Sequence, residues 1–149
     1  MKWEEVMKMS RELYHPISKR FDGFFEEVRF EDEDGYDMGE DMIMHLRFRD
    51  WRTVERFGIE LFEIHFGMHP KLQGKGNAEK MIVGAVLDRN EVLGGDTQLY
   101  LNYYRIINHR VMSVVEKLKN NPMIETKEIK MDGEPAGLLM STNYEVMGE

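Results

Sequence analysis

Apolar and polar residues change their period several times along this chain, and each change marks an element. Trp3, Val6, Met7, Leu13, Tyr14 and Ile17 recur at helical spacing with charges between them, which predicts an amphipathic helix. Pro16 breaks or bends it, because proline lacks an amide and disfavours helix at His15. The next stretch, FFEEVRF, alternates: Phe24, Val28 and Phe30 face one way, and Phe25, Glu27 and Arg29 the other. MIMHLRFR does the same, with Met42, Met44, Leu46 and Phe48 opposite Ile43, His45, Arg47 and Arg49. Two half-buried strands joined by a turn are expected. A third strand, GIELFEIHFGM, runs from Gly58 to Met68. Its adjacent Leu61 and Phe62 break strict alternation, so either both faces are covered or a bulge shifts the phase.

From Ala78 the period is helical again, with Ala78, Met81, Ile82, Ala85 and Val86 in one stripe, until LGG at Leu93 to Gly95. TQLYLNYY, Thr97 to Tyr104, reads as a fourth strand. Asn108 is a good cap for a helix whose face is Val111, Val114, Val115 and Leu118, ended by KNNP. The remainder reads as a hairpin: ETKEIKM, a turn at DGEP, then LLMSTNYEV with Leu138, Met140, Thr142, Tyr144 and Val146 on one face. The order is helix, three strands, helix, strand, helix, two strands. This is an α/β (α+β) arrangement, mostly antiparallel, with a βαβ-like unit at its centre. With no repeat or linker, the 149 residues read as a single domain.

Charge narrows the partners. Twenty-eight acidic against 20 basic side chains give a net −8, which repels nucleic acid and anionic membranes and draws in cations. Much of the excess lies in EDEDGYDMGED, Glu31 to Asp41, read as a solvated turn between strands. A calcium loop beginning at Asp32 needs glycine at its sixth place and glutamate at its twelfth, where Asp37 and Ile43 stand. Zero cysteines exclude disulfides, thiolate metal sites and a cysteine nucleophile. No apolar run approaches a bilayer span and Met1 to Met9 is charged, so a cytoplasmic protein is expected. The 13 methionines are most simply packing filler.

The densest chemistry sits in HPKLQGKGNAEKM, His69 to Met81, where a strand meets a glycine-rich turn that opens a helix. Such a turn offers free amides at the positive end of the helix dipole and binds phosphates. Gly74 and Gly76 let the backbone approach a ligand, and Lys75 adds charge. A nucleoside-triphosphate loop is excluded: Gly67 and Gly74 are too far apart, and Gly76 follows Lys75 where Ser or Thr is required. A dinucleotide fingerprint is excluded because Glu79 occupies its third glycine.

QGKGNA, Gln73 to Ala78, resembles the Gln/Arg-x-x-Gly-x-Gly/Ala pattern that holds the coenzyme A pyrophosphate in the GNAT superfamily of acyl-CoA N-acyltransferases. Met68-His69-Pro70 resembles that family's apolar-x-Pro exit from its central strand. NHRVMSVVEKL, Asn108 to Leu118, resembles its Asn-x-x-Ala…Tyr-x-Lys-Leu helix, and the likeness spans residues 24 to 146. The resemblance implies a GNAT-like mixed sheet flanked by helices, with acetyl-CoA (coenzyme A) as cofactor. It implies that amides from Gly74 through Lys75, Gly76 and Asn77 to Ala78 hold the pyrophosphate, with Gln73 shaping the turn. The backbone of Phe66 to Met68 would pair with the pantetheine arm, which requires the third and fourth strands to splay. Asn108 would touch the pantetheine or the thioester, and the Met68 amide would polarise its carbonyl.

The reaction so implied is attack by an amine, of a small molecule or a protein, on an acetyl thioester. The motif's tyrosine, which often reprotonates the thiolate, falls on Val115, and the strand glutamate that often serves as base falls near Phe62. A bulge would bring Glu60 or Glu63 into that role, and His65 is a further candidate base. Tyr103 and Tyr104 are candidates for the missing tyrosine, against a plain packing role. His65 and His69, four residues apart on a strand, are too far apart to share zinc easily. The alternative to an enzyme is a silent GNAT-like fold whose acidic face meets a basic partner. The short N-terminal portion leaves little room for the family's usual first strand and two helices. The acceptor side is then reduced or completed by a second subunit in a homodimer.

Overall fold

The structure is a computed structural model that describes residues 2–21, 25–32, 34–48, 61–93, 97–106 and 108–147. Its elements are α1 (Trp3–Arg11), β1 (His15–Phe21), β2 (Phe25–Glu31), β3 (Met42–Phe48), β4 (Leu61–Met68), α2 (Asn77–Leu93), β5 (Gln98–Asn102), α3 (His109–Lys119), β6 (Ile124–Met131), β7 (Glu134–Thr142) and α4 (Tyr144–Met147). One seven-stranded sheet has the order β1-β2-β3-β4-β5-β7-β6. Among the described residues only β4 and β5 pair in parallel, with α2 as their crossover, and every other strand pair is antiparallel. This is the mixed, mostly antiparallel sheet that the alternation predicts. Phe24, Arg49, the Gly58–Glu60 start of the expected third strand, Gly94 and Gly95 lie outside the described residues.

The N-terminal expectation is corrected. The helix stops at Arg11, and Ile17, read as part of its apolar stripe, belongs to β1. Pro16 is tolerated because β1 is an edge strand, and its register with β2 shifts between Pro16 and Ser18. Between them Leu13 and Tyr14 turn inward against α2. A Cβ on Gly84 would collide there with the Tyr14 carbonyl oxygen, so only glycine permits this approach. A strand therefore does precede β2, where the N-terminal portion was expected to leave little room for one, and residues 22–24 separate the two in the sequence.

One core holds the sheet to its helices. Val28, Phe30, Met42, Met44, Leu46, Phe62, Ile64, Leu99 and Leu101 pack with Met81, Ile82 and Val86 of α2 and Val115 and Leu118 of α3. Several methionines are fully buried in it, as filler is. Phe62, Glu63 and Ile64 are all buried, and β4 lies fourth of seven strands. Its pairing to β3 runs from Met42↔Met68 to Phe48↔Phe62 without a slip. The broken alternation thus marks a central strand, not a bulge. Across the core, Arg89 of α2 reaches Glu26 of β2 at 2.6 Å, both nearly inaccessible.

Turn chemistry settles the remaining boundaries. Asp32 accepts amide hydrogens from Asp34 and Tyr36, and Asp37 from Gly39, so the acidic run folds its own link. Asn102 accepts from the Tyr104 amide and Arg105 has φ +60°, which ends β5 two residues earlier than expected. Asp132 and Gly133, at φ +53° and +78°, make the tight hairpin turn. Asn143 caps the Glu145 amide, placing Tyr144 and Val146 in α4 and not in β7. Among the described residues no helix is long and apolar enough to cross a membrane.

Candidate functional site

The ladder between β4 and β5 runs from Leu61↔Gln98 to Ile64↔Leu101 and ends there. β4 continues through His65, Phe66, Gly67 and Met68, paired to β3, while β5 finishes at Asn102. The two strands therefore fork. Against the fork lies a cleft of about 510 Å³, walled by the end of β4, the glycine turn and first turn of α2, and one face of α3.

The turn is built by its own side chains. A 3₁₀ turn, Pro70–Leu72, begins at His69, whose Nδ1 accepts from the Lys71 amide at 3.2 Å. Gln73 then donates from Nε2 to the Met68 carbonyl at 3.0 Å, folding the chain back on β4. Gly74 and Gly76 sit at φ +77° and +79°, where glycine avoids a penalty that any other residue carries, and no atom lies within 4 Å of either Cβ position. Asn77 donates to the Leu72 carbonyl at 2.7 Å and accepts from the Tyr14 hydroxyl at 2.9 Å. Its side chain is thus tied to Leu72 and to the N-terminal segment, at a helix end whose first amides have no intrahelical acceptor. Asn108 acts differently: its Oδ1 accepts from the Arg110 amide at 2.9 Å and caps α3.

Phe66, Met68, Gln73, Gly74, Gly76, Asn77, Ala78 and Asn108 all line this one cleft. Lys75 is exposed on the turn beside it. Sequence reasoning missed the opposite wall. Arg110, Ser113 and Lys117 line the cleft from α3, and the Arg110 guanidinium donates to the Gln73 side chain across its mouth. Their i, i+3, i+7 spacing beside the apolar Val111 and Val114 was the available signal. With Lys71 and Lys75 exposed nearby and Glu79 the carboxylate in the wall, the cleft is locally cationic in a protein of net charge −8.

The candidate bases lie at the fork, on the sheet face opposite α2 and α3. Glu63 is 4% exposed and accepts from Asn102 Nδ2 at 3.4 Å, across the fork. His65 Nε2 stands 3.5 Å from Glu63 Oε2, with its imidazole 56% exposed. Glu60 lies outside the described residues. Val115, at the motif's tyrosine place, is buried in the core. Both candidate tyrosines are hydrogen-bonded to carboxylates. Tyr103 donates to Glu128 at 2.9 Å, and burial followed by that bond pushes its phenol above the ordinary range. Tyr104 donates to Asp132 at 3.0 Å, a bond that also raises its phenol. Glu128, bonded to Lys119 and Tyr103, is held below the usual carboxylate range. Among the described residues, no group of three or more His, Asp or Glu is placed to hold a metal.

No protein-family model matches the chain, and no curated protein matches it. Solved structures do. A chimera of the Vibrio cholerae spermidine N-acetyltransferase SpeG with hSSAT is 15% identical, with TM-score 0.54 over 85% of this chain and 71% of its own. A second such chimera gives 15% and 0.53 over 86% of this chain and 72% of its own. An uncharacterized protein from Bacillus halodurans gives 14% and 0.52 over 85% and 63%. These matches show that the chain has the GNAT fold of those acetyltransferase structures.

Proposed function

We propose that the chain is an N-acetyltransferase that moves an acetyl group from acetyl-CoA to an amine by direct attack. The observation that carries this reading is the cationic cleft at the fork, entered by a positive-φ glycine turn and the bare first turn of α2. These residues fit a pyrophosphate-bearing cofactor. Two glycines leave open space, helix amides face it, and Arg110 and Lys117 offer charge from the other wall. Acetyl-CoA, when bound, supplies a thioester carbonyl that an amine attacks.

The chain's own residues would do the rest. Amides from Gly74 to Ala78 hold phosphate, and the β4 edge from Phe66 to Met68 pairs with the pantetheine arm as an added strand. The Met68 amide polarises the carbonyl, and Glu63 with His65 accepts the ammonium proton. With three residues between β1 and β2, the acceptor side lacks the family's two helices there and is reduced or completed by a second copy.

A second reading, a silent fold that keeps the cofactor cleft and meets a basic partner, is favoured by one observation. Val115 is 2% exposed where a hydroxyl would stand, and both nearby tyrosines are engaged by carboxylates. A thermal-shift titration with acetyl-CoA tests the cleft. Binding at 100 times Kd stabilises by about 2.7 kcal/mol, which at roughly 2–4 °C per kcal/mol raises Tm by about 5–11 °C. No shift at millimolar acetyl-CoA refutes the cofactor reading.

A further inference from the structure

One face of α2 holds a single residue of the N-terminal segment along the first half of the helix. Asn77, Lys80 and Gly84 stand at i, i+3 and i+7 and so share that face. Tyr14 meets all three. Its hydroxyl donates to Asn77 Oδ1 at 2.9 Å, the Lys80 ammonium lies 5.8 Å from its ring centroid, and its carbonyl oxygen stands where a Cβ on Gly84 would be. Seven residues of helix rise about 10 Å, so Tyr14 lies lengthwise, from mid-helix back to the first residue of α2. From there the contact continues into the glycine turn. Asn77 is 7% exposed, and its Nδ2 donates to the Leu72 carbonyl at 2.7 Å, closing the loop that contains Gln73, Gly74, Lys75 and Gly76. The Tyr14 donor and the Leu72 acceptor together fix the amide in one orientation, because a flip would set oxygen against oxygen at Leu72. The turn needs such a support. Gly74 and Gly76 have left-handed φ and no side chain to anchor them, and Lys75 between them is exposed. Glycine loses the most conformational freedom when a loop is fixed, and a loop that a ligand must first order binds that ligand more weakly.

We propose that the side chains of Tyr14 and Asn77 are positioning groups for the phosphate-binding turn, through which the docked N-terminal segment raises acetyl-CoA affinity. This rests on reading the cleft as the acetyl-CoA site. The Tyr14 hydroxyl holds the Asn77 amide, that amide holds Leu72, and the Gly-Lys-Gly turn is closed between Leu72 and α2 before the ligand arrives. Gly84 makes this possible, since only a residue without Cβ lets the Tyr14 backbone come close enough for its side chain to run along the helix. The coupling is reciprocal. A ligand that binds the closed turn better than a loose one also favours the docked Tyr14, and so holds the chain from the end of α1 into β1 against α2.

Tyr14→Phe removes the hydroxyl and keeps both the ring and the approach to Gly84. Isothermal titration of the whole protein with acetyl-CoA should give a Kd about 3–10-fold above wild type, the worth of one ordinary hydrogen bond. Asn77→Ala should raise Kd further, because it also releases Leu72, and adding Tyr14→Phe to it should change little more. In the ligand-free protein, ¹⁵N order parameters of Gly74, Lys75 and Gly76 should fall in both variants. Acetyl-CoA should slow amide hydrogen exchange across residues 11–21 in wild type, and less so in Tyr14→Phe. A contact that only stabilises the fold lowers Tm in Tyr14→Phe but leaves Kd and the order parameters of the turn at wild-type values. That result overturns the proposal, as does a fully additive loss in the double variant. Order parameters that fall in the variants of a protein that itself binds no acetyl-CoA overturn the cofactor reading instead, and the role of Tyr14 in affinity with it.

Discussion

Gly76 and Gly133 provide a matched pair for testing where phosphate binds. Both have left-handed backbones, φ +79° and +78°, and both have open space around the missing Cβ. Replacing either by Glu therefore costs backbone strain without a clash, about 1–2 kcal/mol, or a fall in Tm of roughly 2–8 °C. Only Gly76 lies at the cleft; Gly133 sits in the β6–β7 turn. A carboxylate about 4 Å from a phosphate at an effective dielectric of ~20 costs roughly 4 kcal/mol per unit charge, close to a thousandfold in Kd. At an acetyl-CoA concentration of 100 times the wild-type Kd, Gly133→Glu should keep the full shift of about 2.7 kcal/mol. Gly76→Glu should retain less than about 0.1 kcal/mol of it. Differential scanning fluorimetry across an acetyl-CoA series reads both quantities. A full ligand shift in Gly76→Glu, or an equal loss in Gly133→Glu, removes the glycine turn as the pyrophosphate site.

Further outcomes follow from the core and the hairpin. Arg89→Met strands the Glu26 carboxylate, 4% exposed, and should cost about 3–5 kcal/mol in urea unfolding. The double change Glu26→Leu with Arg89→Met should recover most of that loss, and equal loss in both proteins would disprove the stranded-charge account. Gly84→Ala drives a methyl into the Tyr14 carbonyl, and a loss of about 1–3 kcal/mol with faster amide exchange in β1 is expected; unchanged exchange would show that α1 and β1 do not depend on this contact. Glu128 has its folded pKa depressed by Lys119 and Tyr103, so its contribution is present above the ordinary value of 4.5 and is lost as pH falls through the lower folded value. Glu128→Gln should therefore flatten the acid limb of the stability curve, and an unaltered limb would assign acid unfolding to other carboxylates.

The local signals that survived in the sequence are those in which one residue type forces one geometry. Gly74 and Gly76 before a helical period mark the turn, Asn108 marks the α3 cap, and alternation in β2 and β3 marks the hairpin. β1 was illegible because Leu13, Tyr14 and Ile17 continue the helical spacing of α1. Only the approach to Gly84 decides against a longer helix. β4 was ambiguous at Leu61 and Phe62 because central position and bulge give the same local pattern; the register separates them. Arg110 and Lys117 read as the polar face of a helix until the fork places that face against the glycine turn. Glu27, His45 and His65 meet as cross-strand partners although they lie 18 and 20 residues apart in the sequence, so no local window contains them.

Amine-dependent thiol release from acetyl-CoA tests the central claim most directly, since the chain contributes no thiol of its own. The account predicts that a panel of free amines includes one that raises release well above the rate with acetyl-CoA alone, and that Glu63→Gln abolishes the increase while acetyl-CoA still stabilises the protein. Stabilisation by acetyl-CoA with no amine raising release in either protein would contradict catalysis and leave the cleft as a binding site.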